Sequence, residues 1–76
     1  MKHPAMVARE ASVRLALESP DEIRQSRSDP RVLLFYKAEE DRRWVCAVAR
    51  QGRDTAFLVT AYPTDAIKEG VRIWPS

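Results

Sequence analysis

The chain has 76 residues, room for one compact domain and not two. Apolar residues make up 45% and charged residues 32%, which excludes a disordered tail. No apolar run approaches the roughly 20 residues that a membrane-spanning helix needs. The net charge of +2 permits a polyanionic partner without demanding one, because the basic residues are spread along the chain.

A domain this short buries only about 60% of the surface its unfolded chain exposes. Sharing an apolar face with a partner, or with a second copy in a homodimer, would therefore stabilise it. Met1-Lys2-His3-Pro4 is not followed by the apolar core of a signal peptide, so the expectation is a cytoplasmic protein with no membrane partner. The single cysteine, Cys46, has no internal disulfide partner. It sits in Trp44-Val45-Cys46-Ala47-Val48, where a thiol packs as a small hydrophobe. A catalytic thiol would need an activating neighbour. One histidine and one cysteine supply no zinc-spaced ligand set, so neither a metal nor a cofactor is expected.

Pro4 to Ser19 reads as an amphipathic helix. Pro4 suits the first helical position, and Met6, Val13, Ala16 and Leu17 fall on one stripe. Arg9 and Arg14 lie off its centre. Ser19-Pro20-Asp21-Glu22 has the form of a capping box, which predicts a second, short helix through about Gln25 anchored by Ile23. Pro30 disfavours helix in the residue before it and ends that segment.

From Arg31 the period changes. Residues 32–37, 43–50 and 55–62 read as strands, and 71–74 as a last short one. Ala66 to Glu69 has room for one helical turn ended by Gly70. Short links favour an antiparallel meander. The predicted class is α+β, with one or two N-terminal helices packed on a small antiparallel sheet of three to four strands. Alternation along the third strand places Phe57, Val59 and Ala61 toward the helices, and Ala56, Leu58, Thr60 and Tyr62 on an open face. Thr60 and Tyr62 are equally ordinary strand residues.

His3-Pro4 opening a helix is followed by Ser19-Pro20-Asp21-Glu22-Ile23 with Ser26, and then by a strand ending in Phe35-Tyr36-Lys37. Thr60-Ala61-Tyr62-Pro63-Thr64-Asp65 comes next, before Lys68-Glu69-Gly70. In this order the elements resemble small proteins of the barnase–EndoU–colicin–RelE-like nuclease superfamily, especially its phage- and mobile-element-associated branches. The resemblance covers nearly the whole chain, and its most specific piece is Thr60-Ala61-Tyr62.

The resemblance implies a metal-independent RNA endonuclease, such as the toxin of a toxin–antitoxin pair, working on an open sheet face that an antitoxin protein would cover. Such a reaction needs a base for the ribose 2′-OH, cations for the phosphate and an acid for the leaving 5′-oxygen. Carried onto this chain, His3, Thr60 and Tyr62 would be catalytic. His3 is the only side chain with an unperturbed pKa near neutrality. Arg27, Tyr36, Lys37 and Lys68 would bind the RNA substrate, the cations through phosphate and the ring through stacking. Each has a plain alternative: a solvated or capping His3, exposed Arg27 and Lys68, and a core Tyr36. Trp44 and Trp74 suit sheet edges. The modest charge and the acidic Glu39-Glu40-Asp41 segment depart from a strong nuclease, and a non-catalytic protein-interaction module or homodimerising domain of the same fold is the alternative reading.

Overall fold

The computed structural model describes residues 4–40 and 42–75, with side chains from Glu10 onward apart from residue 41. His3 and Asp41, and the side chains of Met6 and Arg9, lie outside the described residues. The chain is α+β. One helix, α1 (Pro4–Glu18), precedes β1 (Glu22–Gln25), β2 (Val32–Glu39), β3 (Arg43–Gln51), β4 (Ala56–Thr64) and β5 (Val71–Trp74). The five strands form one sheet in the order β4-β3-β2-β1-β5, and every pairing is antiparallel. That is a larger sheet than the three to four strands expected.

The extra strand is β1, which replaces the predicted second helix. Ser19 ends α1 by donating its N–H to Leu15 O at 2.8 Å, and Pro20 has no N–H with which to continue. The next donors go to β2 rather than into a new helix. Asp21 N–H donates to Tyr36 O at 2.8 Å, and Asp21 Oδ2 accepts Ala38 N–H at 2.7 Å. Lys37 Nζ donates to Ser19 O at 2.9 Å. A helix through Gln25 would have been a costly nucleus with little propagation. As a strand, the same residues pair with β2 on one side and β5 on the other.

The helix packs on the middle of the sheet. Ala16 and Ala47 are fully buried, and with Val45 they form a core joined by Val13 and Phe35. The small residues let the helix backbone approach the strands closely. Leu17, expected in this stripe, is 37% exposed and instead lines a groove toward Leu58 and Ala61 of β4.

The opposite face is not bare. Leu34, Tyr36 and Cys46 form a second buried cluster, flanked by Trp44, Val48, Tyr62 and Ile67. Ile67 belongs to the 65–70 connection, which has no helical turn. β4 and β5 lie at opposite edges, so this connection must cross about four strand spacings, ~19 Å. It passes over the face turned away from α1, and Ile67 seals the core beneath it. Gly70 ends the crossing at φ +78°, a backbone that glycine adopts without strain.

A shift of register in β4 alters the predicted faces. Thr60 lies opposite Val48, but Leu58 lies opposite Ala49 and Phe57 opposite Arg50, so Val59 is an extra residue. Residues directly opposite in an antiparallel pair share a face. Leu58 therefore turns to the helix side with Ala61, and Phe57 turns to the side of Tyr62. Strict alternation predicted the reverse for both, because a bulge breaks the period of two.

Candidate nucleic-acid interface

On the face away from α1, a cleft of about 540 Å³ opens between two loops. One wall is the β1–β2 turn, with Ser26, Arg27 and Ser28; the other is the end of the crossing, Lys68-Glu69-Gly70. Val32, Leu34 and Val48 form an apolar floor, and Tyr62 stands at its side. Arg27 and Lys68 are distant in sequence, and tertiary structure alone brings them to one opening.

Local bonding gives the walls their shape. Ser26 N–H donates to Val32 O at 2.9 Å, and Val32 N–H to Asp29 O at 2.9 Å. Ser28 N–H donates to Ser26 Oγ at 3.3 Å, and the two hydroxyls meet at 3.1 Å. Asp29 Oδ1 accepts the Arg31 N–H at 3.0 Å, and this backbone bond holds the carboxyl below its ordinary range. Across the cleft, Arg24 Nη1 donates to Gly70 O at 3.4 Å, while its Nε pairs with Glu22 at 2.6 Å. Among the described residues no ion pair engages Arg27 or Lys68, so both charges are available to an anion.

Tyr62 carries a phenol that stays protonated. Burial first, and then contact with the Cys46 thiol, raise its pKa above the ordinary value. Near neutral pH it therefore donates a hydrogen bond and does not act as a base. Cys46 is itself raised, chiefly by burial, which makes it an inert core thiol without the depressed pKa of a nucleophile. Glu69 lines the cleft and contributes its charge to Tyr36, Cys46 and Tyr62. Two cations, two serine hydroxyls and a phenol can together hold a phosphodiester, and a carboxylate beside them can exchange a proton.

The structure gathers Arg27, Lys68 and Tyr62 at this cleft. Thr60 is exposed opposite Val48, next to Tyr62 on the same face but outside the cleft lining. Tyr36 shares that face yet is 1% exposed, so its ring is core and offers no surface to a base. Lys37 does not reach the cleft. It stands opposite Val45 on the helix side and is held by Ser19 O and Asp21. Alternation along β2 already separates Lys37 from Tyr36. Sequence reading passed over Ser26, Ser28 and Glu69 as site residues. Gly70 is the signal that could have found Glu69, since a glycine at positive φ marks where the chain turns back onto β1. Among the described residues no group of three or more His, Cys, Asp or Glu is placed to hold a metal ion. Among those residues no helix is long and apolar enough to cross a membrane. In comparisons with known proteins, no family model, curated protein or solved structure matches this chain.

Proposed function

We propose that the chain is a metal-independent RNA endonuclease that works in the Arg27–Lys68–Tyr62 cleft. The observation that carries this reading is the meeting of two cations, neither in an ion pair among the described residues, with a protonated phenol over an apolar floor. Arg27 and Lys68 neutralise the phosphate, Arg with a two-pronged fork and Lys as a point charge. Tyr62 donates to a phosphate oxygen, and the floor of Val32, Leu34 and Val48 accepts a nucleobase or ribose. A base removes the 2′-OH proton, the 2′-oxygen attacks phosphorus, and the P–O5′ bond breaks. The products are a 2′,3′-cyclic phosphate and a 5′-OH that takes a proton from the acid. Glu69, at the cleft, is the group for these proton transfers, taking the 2′-OH proton and returning one to the leaving 5′-oxygen. Thr60 supplies a hydroxyl at the margin. In this reading the protein is the toxin of a toxin–antitoxin pair, and an antitoxin would cover the cleft face.

The test is cleavage of a broad RNA panel by the purified protein in excess chelator, with growth arrest on expression as a second readout. Removing one acid–base group typically costs about 10²–10⁴-fold in rate, so Glu69→Gln should lose activity on that scale, while His3→Ala, next in sequence to the helix on the other face, should keep it. Lys68→Ala and Tyr62→Phe should lower kcat without unfolding the protein. A folded wild type that neither cleaves RNA nor arrests growth removes the nuclease reading.

A second reading, a non-catalytic interaction module or homodimer, is favoured by the sheet edges. Leu58 and Val59 on β4 and Val71, Ile73 and Trp74 on β5 are 44–60% exposed, an unusual apolar load for edge strands.

A further inference from the structure

The bulge in β4 places an aromatic ring where alternation would not. Phe57 is 60% exposed and stands opposite Arg50, which in turn stands opposite Val32 of the cleft floor. The three lie in one row across adjacent strands on the face away from α1. Phe57 is thus about two strand spacings, ~10 Å, from Val32. Its ring is also positioned from below. A Cβ on Gly52 would fall 3.1 Å from Phe57 Cε2, so the ring rests against the glycine backbone. The turn is closed by Gly52 N–H donating to Thr55 O at 2.6 Å. Arg50 lies close enough to Asp29 to lower its pKa, but Arg31 makes the bonds to that carboxylate. Among the described residues no ion pair engages Arg50, and its backbone stands directly opposite that of Phe57.

We propose that Phe57 and Arg50 form a base-stacking subsite that holds the nucleotide adjoining the one in the cleft, and that the substrate is single-stranded RNA. The assignment of the cleft nucleotide rests on the nuclease reading, while the stacking itself is measured independently. An exposed ring beside a cation offers a base a flat surface and its phosphate a charge, and this combination tolerates sequence because every base has a π-face. It selects for unpaired bases, since a base inside a duplex is already stacked on its neighbours. Leu58, turned to the other side of the sheet by the bulge, takes no part.

The experiment is fluorescence anisotropy at fixed salt with labelled 2′-O-methyl RNA, which cannot be cleaved through the 2′-oxygen. The ligands are a dinucleotide, a single-stranded hexamer, and the hexamer annealed to its complement. The proteins are the wild type, Phe57→Leu, Phe57→Trp and Arg50→Gln, each checked for fold by circular dichroism and for mass by size exclusion. The wild type should bind the single strand more tightly than the duplex. Phe57→Leu should cut the affinity gained between dinucleotide and hexamer about tenfold, and Phe57→Trp should restore it. Arg50→Gln should reduce that gain and flatten its salt dependence.

The subsite is refuted if Phe57→Leu keeps the full length-dependent gain, or if single strand and duplex bind alike. It is also refuted if the wild type is a dimer that Phe57→Leu dissociates, because the ring then packs against a second copy. Cleavage of unmodified RNA with no effect of Phe57 leaves the nuclease reading standing without the subsite. Phe57-dependent binding without any cleavage does the reverse. A wild type that binds none of the three ligands overturns both.

Discussion

Tyr36 shows how a single residue's environment decides between site and core. Its ring is 1% exposed between Leu34 and Cys46, under the crossing that carries Ile67. Burial, with the Cys46 thiol next in effect, pushes its hydroxyl from 10.0 up to about 12. The fold therefore holds the neutral phenol and disfavours the phenolate. Stability from this group is intact below pH 10.0, where the unfolded phenol is still protonated, and is lost as pH rises through about 12. The loss is on the order of 2–3 kcal/mol, and Tyr62, raised in the same direction, adds to it. Urea unfolding at increasing alkaline pH should show this decline, and Tyr36→Phe should decline less steeply. Parallel curves for the two proteins would contradict the assignment. Tyr36→Ala should cost about 3–5 kcal/mol at neutral pH, as expected for emptying a large aromatic site.

Among the elements, β1 has the weakest local preference and the most demanding surroundings. The Ser19-Pro20-Asp21-Glu22 signal leading into it favours a helix start, yet pairing with both β2 and β5 makes Glu22–Gln25 a central strand. Gly70 is where this arrangement is most exposed to mutation. At φ +78° a Cβ would lie 2.6 Å from Gln25 O and 3.1 Å from both Gln25 C and Leu34 Cδ1, and the closest contact, to the Gln25 backbone, cannot yield as a side chain could. Gly70→Ala should destabilise by about 2 kcal/mol or more, seen as a lower Tm. Because Gly70 also forms the cleft wall beside Lys68, the proposed binding of RNA should weaken in folded protein at low temperature. A variant with wild-type Tm would show that the β1–β5 contact tolerates a different path.

For the molecule as a whole, the crossing from one sheet edge to the other does two jobs. It covers the second core and delivers Lys68 to the same opening as Arg27. In the proposed RNA-binding reading, a net charge of only +2 requires the phosphate contacts to be few and local. Two or three of them, from Arg27, Lys68 and Arg50, give a log–log salt slope of about −1.5 to −2 on a single strand, each contact contributing roughly −0.7. Titration across low and moderate salt measures it directly. A slope near zero would remove phosphate recognition from this face.

The α+β class, α1 and the meander from β2 to β4 were readable from the sequence alone. The helical stripe around Val13 and Ala16, and the branched and aromatic runs after Pro30, are local periodicities set by backbone geometry. Tyr62 and Thr60 were likewise assigned to one face, because they lie beyond the bulge in unbroken alternation. Three features needed the tertiary structure. Glu22–Gln25 became a strand because ladder bonds to distant residues outweighed a local cap, and no local pattern encodes those partners. Phe57 and Leu58 exchanged faces because one extra residue in β4 reverses everything on its far side. The cleft formed because β5 pairs with β1 and not with β4, which sends residues 65–70 across the sheet. Periodicity fixes which way a side chain points within its element, but the route between elements depends on which edges remain unpaired, and that is settled only when the whole sheet assembles.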